Sequence, residues 1–131
     1  MSGQQEPTAV AVARAHVAAW GNHDYEAARD ALAPDVRVTA TSVDPGLPVT
    51  DLTGIDGYME GLAEFTQAVV PGTTRVDMSL GDETRAMLQV TSRVRFGPDA
   101  PEMALNAARL YLLDENQKIK HEQVIFYVTA P

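Results

Sequence analysis

The sequence predicts an α+β fold, a strongly curved and mostly antiparallel sheet wrapped around three helices in the N-terminal half. Three observations predict it. Apolar residues recur at spacings of three and four through most of the first half, the period of amphipathic helices. From residue 73 onward apolar and polar residues alternate, the period of strands. Breaks rich in Gly, Pro, Asp and Asn separate the alternating runs, so strand follows strand without an intervening helix. Long strands covering so few helices must twist and coil, which gives the sheet a cone-like shape.

The first helix starts near Pro7, a residue suited to a first turn because its missing N–H would be unpaired there anyway. Ala9, Val12, Ala13, Val17 and Trp20 share one face of it, and His16 falls on that face. Gly21 and Asn22 are expected to end the helix, since both tolerate the left-handed conformation of a C-terminal cap. Asp24 is a good N-cap for a short second helix over residues 25–33, with Glu26 placing negative charge in its first turn and Pro34 stopping it. Val36, Val38 and Ala40 then alternate with Arg37, Thr39 and Thr41 in a strand that runs to Val43.

Residues 44–48, Asp-Pro-Gly-Leu-Pro, are dense in turn formers and form a loop. The Thr53 hydroxyl is the expected cap of the third helix, with Asp56 in its first turn. Ile55, Tyr58, Leu62, Phe65 and Val69 make its apolar stripe, and Pro71-Gly72 ends it. Strands follow over residues 73–80, 85–96, 103–113 and 118–128, with breaks at 81–84 and 97–101.

The last hairpin turns at residues 114–117, Asp-Glu-Asn-Gln. A two-residue or a four-residue loop there gives one register, because both are symmetric about Glu115 and Asn116. That register sets Arg109 opposite Glu122, Ala107 opposite Val124 and Tyr111 opposite Lys120. Paired residues share a face. One face therefore carries Ala107, Arg109, Tyr111, Glu122, Val124 and Phe126, and the other carries Ala108, Leu110, Leu112, His121, Gln123, Ile125 and Tyr127. Both faces are half apolar, so neither is a purely wet side. A sheet with two such faces is expected to bury one against helices and to pair the other with a second copy as a homodimer, since a monomer would leave Leu110, Leu112 and Ile125 in water.

The chain has 131 residues, enough for one domain with a real core, and residues 1–6 are expected to form a flexible N-terminus. A net charge of −8 argues against nucleic acid and anionic membranes, both of which need basic surface. The absence of cysteine excludes disulfides, thiol catalysis and thiolate metal sites, and suits the cytoplasm. The polar start lacks the apolar core of a signal peptide, and no run approaches the ~20 apolar residues of a membrane span. The three histidines are scattered without a ligand-like spacing, so no metal site is expected.

Four stretches together resemble the nuclear-transport-factor-2-like superfamily, and within it the SnoaL-like polyketide cyclases and the ketosteroid isomerases. They are residues 16–28, from His-Val-Ala-Ala-Trp to Asp-Tyr-Glu-Ala-Ala; residues 33–38, Ala-Pro-Asp-Val-Arg-Val; residues 53–60, Thr-Gly-Ile-Asp-Gly-Tyr-Met-Glu; and residues 118–126, Lys-Ile-Lys-His-Glu-Gln-Val-Ile-Phe. Their order and spacing, rather than any one of them, carry the likeness. It implies the cystatin-like roll of that superfamily, with a pocket between the helices and the concave sheet face and a dimer contact on the convex face. The loop after the first strand would sit at the pocket mouth.

Laid over the ketosteroid isomerases, the chain places His16 where their helix-borne tyrosine would be and Arg109 where their buried aspartic acid donor would be. Ala40 falls where their general-base aspartate would be, so that route to isomerisation is closed. Tyr127 stands where the SnoaL-like and epoxide-hydrolase-like relatives tend to place an acid. The Arg–Asp pattern of limonene epoxide hydrolase is absent, because Leu110-Tyr111 follows Arg109. The resemblance leaves His16, Arg109 and Glu122 as the candidate catalytic trio. The residues expected to line the pocket are Trp20, Ala40, Tyr58, Leu62, Thr91, Ala107, Val124 and Phe126.

In a dry pocket His16 or Glu122 could serve as base and Arg109 could hold an oxyanion or a ligand carboxylate. The plainer alternative makes Arg109 and Glu122 an exposed cross-strand ion pair, His16 a satisfied helix residue and Trp20 a core residue. Two function classes follow. The first is a cofactor-free cyclase, isomerase or dehydratase acting on a hydrophobic oxygenated molecule, polyketide-like or steroid-like. The second is a non-catalytic module of the same fold that binds a ligand, or a protein as the transport factor does.

Overall fold

The computed structural model of the protein describes residues 6–44, 46 and 49–131. Three helices precede most of the sheet, and the architecture is α+β. In chain order the elements are α1 (Thr8–Gly21), α2 (Tyr25–Asp30), β1 (Leu32–Ser42), β2 (Thr50–Thr53), α3 (Ile55–Thr66), β3 (Arg75–Gly81), β4 (Arg85–Val94), β5 (Met103–Leu113) and β6 (Ile119–Thr129). The six strands form one curved open sheet in the order β2-β1-β6-β5-β4-β3, antiparallel throughout except for the parallel pair β1–β6. The helices pack on the concave face.

Helix α1 buries Ala9, Ala13, His16, Val17 and Trp20 of the expected stripe, while Val12 is only half-buried and Val10, outside that stripe, is buried as well. Its end differs in detail from expectation. Gly21 remains helical, and the left-handed residue is His23, with φ 61°. Gly21 is needed for another reason, because a Cβ there would lie 2.7 Å from the Cβ of Thr74, which leads into β3. Asp24 caps α2 as expected, accepting a hydrogen bond from the Ala27 N–H at 3.2 Å.

Helix α2 stops at Asp30 rather than at Ala33, and β1 begins at Leu32. Pro34 therefore lies inside the strand, in the irregular stretch between Leu32 and Arg37 where the ladder with β6 slips. A missing N–H costs little there. The four-residue strand β2 was not foreseen. It pairs with β1 from Arg37↔Thr53 to Ala40↔Thr50 and covers what would otherwise be the sheet edge. Because Thr53 belongs to that strand, Gly54 takes the N-cap position of α3 and no side chain caps it. The expected loop 44–48 falls largely outside the described residues, as do residues 1–5 of the expected flexible N-terminus.

The last hairpin is shifted from the symmetric register by two residues. Arg109 stands opposite Val124, Tyr111 opposite Glu122 and Ala107 opposite Phe126. The turn causes the shift. Gln117 adopts a left-handed conformation, the Asp114 carboxylate accepts from the N–H groups of Asn116 and Lys118, and the ladder bulges after Leu112. A shift of two conserves parity, so both faces keep their predicted members.

Candidate functional site

A cavity of about 410 Å³ opens between α3 and the concave face of β1, β2, β4, β5 and β6. Its wall is mostly apolar: Val38, Ala40, Leu52, Leu62, Phe65, Ala68, Val94, Phe96, Leu105, Val124, Phe126 and Val128 contribute to it. Polar side chains are few, and Tyr58, Arg109 and Glu122 stand together among them. The volume lies within the range of small-molecule pockets.

The pair of Arg109 and Glu122 is buried, at 6% and 2% exposure, which excludes the alternative of an exposed surface bridge. Arg109 Nη1 donates to Glu122 Oε2 at 3.2 Å, along a diagonal of the ladder rather than straight across it. The guanidinium also lies over the Trp20 ring, 4.8 Å from its centroid, and near the Phe65 ring at 5.7 Å. Those ring faces favour a cation in a dry place. Arg109 Nε is buried without a hydrogen-bond partner.

Glu122 is held from a second side. The Tyr58 hydroxyl, from α3, donates to Glu122 Oε1 at 2.6 Å. Behind it His16 Nε2 lies 2.9 Å from the same hydroxyl, and His16 Nδ1 lies 2.9 Å from the carbonyl oxygen of Ala28. A carbonyl can only accept, so Nδ1 carries the ring proton. His16 has no exposure at all and sits one layer behind the cavity wall.

Burial holds His16 below the ordinary histidine value, since the opposing pull of the Glu122 carboxylate is smaller. Burial pushes the Glu122 carboxyl up, but Arg109, His16 and the neighbouring phenols outweigh it and hold the group below the usual carboxylate range. Burial and the Glu122 charge push the phenols of Tyr58 and Tyr111 well above their ordinary value, so both keep their protons. Arg109 stays charged despite its burial, because the Glu122 carboxylate lies against it. The resting site thus holds one cation and one anion in close contact. The Tyr111 hydroxyl lies beside them, buried and without a well-formed hydrogen bond.

Of the expected lining residues, Ala40, Tyr58, Leu62, Val124 and Phe126 line the cavity with Arg109 and Glu122. Trp20 lies beneath Arg109 in the core rather than on the wall. Ala107 is buried on the concave face opposite Phe126, also outside the wall. Thr91 is a correction. Alternate residues of β4 from Ala86 to Val94 turn inward, so Thr91 points to the outer face, where its hydroxyl bonds to Asp77. Sequence reasoning missed Thr50 and Leu52, which belong to the unforeseen β2. It also missed Val94, Leu105 and Val128, although strand parity places them on the inner face. Among the described residues no group of three or more His, Cys, Asp or Glu is arranged to hold a metal ion, and no helix is long and apolar enough to cross a membrane.

The SnoaL-like domain family matches residues 13–122, and the chain belongs to it. Solved structures share the fold at low identity. The epoxide hydrolase/cyclase-like enzyme SalBIII, acting in pyran ring formation in the polyether salinomycin, superimposes with a TM-score of 0.76 at 12% identity, over 94% of this chain and 95% of that one. A SnoaL-like polyketide cyclase described from Shewanella denitrificans gives 0.72 at 12% identity, over 93% and 92%. An LEH-like epoxide hydrolase of M. tuberculosis gives 0.69 at 18% identity, over 92% and 83%. No curated protein matches the chain in sequence.

Proposed function

We infer that the protein, as a single domain over residues 1–131, is a cofactor-free enzyme of the cytoplasm that binds a hydrophobic, oxygenated molecule and acts on it by acid–base chemistry. Cyclisation, isomerisation and dehydration are the reactions of that kind. The observation that carries this is the Arg109–Glu122 pair, buried and hydrogen-bonded in an otherwise apolar cavity. Replacing a buried ion pair by apolar residues is often neutral or stabilising, so stability alone is a weak reason to keep one. A pocket that must hold a developing oxyanion and move a proton has a use for both groups. The names of the structural neighbours, which include cyclases and an epoxide hydrolase, support the same class.

A carbonyl, enol or phenol oxygen placed against Arg109 would have its negative charge stabilised as it forms, with Glu122 beside it as base. The ligand is best neutral before reaction, because Glu122 already balances the arginine. Thermal melts with a panel of polycyclic ketones and phenols test the reading. Glu122→Gln should fold and lose at least about tenfold in ligand affinity, ~1.4 kcal/mol. Undiminished affinity in that variant ends the assignment of the site. A non-catalytic binding module is the second reading, favoured by Ala40, which puts a methyl group on the cavity wall where the isomerases' base would stand.

The protein is further read as a homodimer through the convex face. Leu80, Met87 and Leu110 are consecutive cross-strand neighbours there, and Met78 and Ile125 lie on the same face, all of them exposed. A contiguous apolar patch of this kind on a sheet is typical of an interface.

A further inference from the structure

The hydrogen bonds behind Glu122 leave a place for one more proton. Along Ala28 C=O, His16, Tyr58 and Glu122 there are three short contacts, of 2.9, 2.9 and 2.6 Å. The first uses the Nδ1 proton of His16. The other two both meet at the Tyr58 oxygen, which has a single hydrogen. With His16 neutral and Glu122 ionised, that hydrogen serves one contact, and the other brings two lone pairs together. One added proton completes both contacts. If it sits on Glu122, the carboxyl donates to Tyr58 and Tyr58 turns to donate to His16 Nε2.

We propose that His16, Tyr58 and Glu122 form a one-proton relay that takes a proton from a neutral, weakly acidic ligand, a phenol or an enolisable ketone, bound beside Arg109. This rests on the acid–base reading of the cavity and gives its parts distinct duties. The ligand O–H or C–H bond breaks, an O–H bond forms on Glu122, and the electron pair stays on the ligand as an oxyanion facing Arg109. The Tyr58 proton swings from Glu122 to His16 Nε2. Total charge does not change, since the negative charge moves from Glu122 to the ligand while Arg109 remains. Glu122 is the catalytic base. Tyr58 and His16 act through it as positioning residues that make its protonated form fully hydrogen-bonded. The groups facing the relay are Arg109 and Tyr111 from β5. Burial, with a smaller contribution from the facing charge of Arg109, disfavours a charged His16, which leaves the carboxyl as the seat of the added proton.

The relay is testable without a ligand. In the intact protein, labelled in its histidine rings and glutamate carboxyls, His23→Gln and His121→Gln identify the His16 signals by difference. Nitrogen-15 shifts should show His16 neutral with its proton on Nδ1. On acidification the His16 Nε2 signal and the Glu122 carboxyl carbon should respond together, as one protonation. In Tyr58→Phe they should part by about tenfold in proton affinity, one pKa unit. A His16 proton on Nε2, or two independent titrations in the wild-type protein, overturns the relay, and that arm decides even if Tyr58→Phe fails to fold. A second arm adds 4-nitrophenol below its own ionisation. Phenolate absorption on binding, with no net proton release by calorimetry in buffers of different ionisation heat, supports the transfer. Phenol bound only in its neutral form overturns the transfer and leaves the pocket reading standing. No binding, alongside a joint titration, counts against the pocket reading and for the relay.

Discussion

The two faces of the β5–β6 hairpin are built from alternate residues of the same two strands, and they invert the usual rule. The concave face buries Arg109, Tyr111 and Glu122 under the helices, while the convex face leaves Leu110, Ile125 and Tyr127 at 43%, 59% and 48% exposure. A buried charge needs a partner, and a bare apolar patch costs solvation unless something covers it. Both departures call for a partner, a small molecule on the concave side and, in the homodimer proposed above, a second copy of the chain on the convex side.

The concave side should show the larger energies. Arg109→Ala strands Glu122 as an unpaired buried carboxylate, which should cost about 3–5 kcal/mol in urea unfolding. Leu110→Ala, next to it in sequence but facing outward, should change stability by only about 0.5 kcal/mol at concentrations where the chain is monomeric. Equal costs would erase the contrast between the faces. On the convex side, Ile125→Lys should weaken self-association by about 30-fold, ~2 kcal/mol, with the cavity untouched. Sedimentation should then move from twice the 14.1 kDa chain mass toward that mass itself. A wild-type chain already at the single mass in the micromolar range refutes the dimer.

The smallest effect separates the faces by pH. His16 is held below its ordinary value of 6.5 in the folded chain, so below that pH the unfolded state binds a proton that the folded state refuses. Glu122 is held below its ordinary 4.5, so in the window beneath that value the unfolded state again takes up the proton first. Both contributions are present at neutral pH and are lost as the pH falls. Stability followed by chemical unfolding should begin to decline near pH 6.5 and fall faster below 4.5. A rise in stability over that range contradicts the assigned charge states.

Much of this was legible in the sequence, for reasons that can be traced residue by residue. Most of the α1 stripe and the membership of both hairpin faces followed from periods of 3.6 and 2, and the Asp24 cap from the reach of its carboxylate to a nearby free N–H, all of them set locally. The face assignment survived even though the partners were wrong, because the Asp114 turn and the bulge after Leu112 moved the register by an even number. Other features depended on meetings between distant segments. Thr53 became strand rather than cap because β2 found an edge of β1 to pair with. Thr91 went to the outer face because β4 takes its parity from Ala86 and Leu88, which are buried in the core.

The site shows the same division. Sequence spacing put Arg109 and Glu122 on one face but left an exposed ion pair and a buried one as equal options. Tertiary packing decided between them, since only the assembled helices remove that face from water. Tyr58 was legible as a member of the α3 stripe and, through the family resemblance, as a pocket residue, but nothing local places its hydroxyl between His16, 42 residues away, and Glu122, 64 residues away. Periodicity follows from the geometry of a few consecutive residues, and so the sequence alone determined it. Burial, pairing and proton sharing depend on which surfaces close over one another, and so only the tertiary structure decided them.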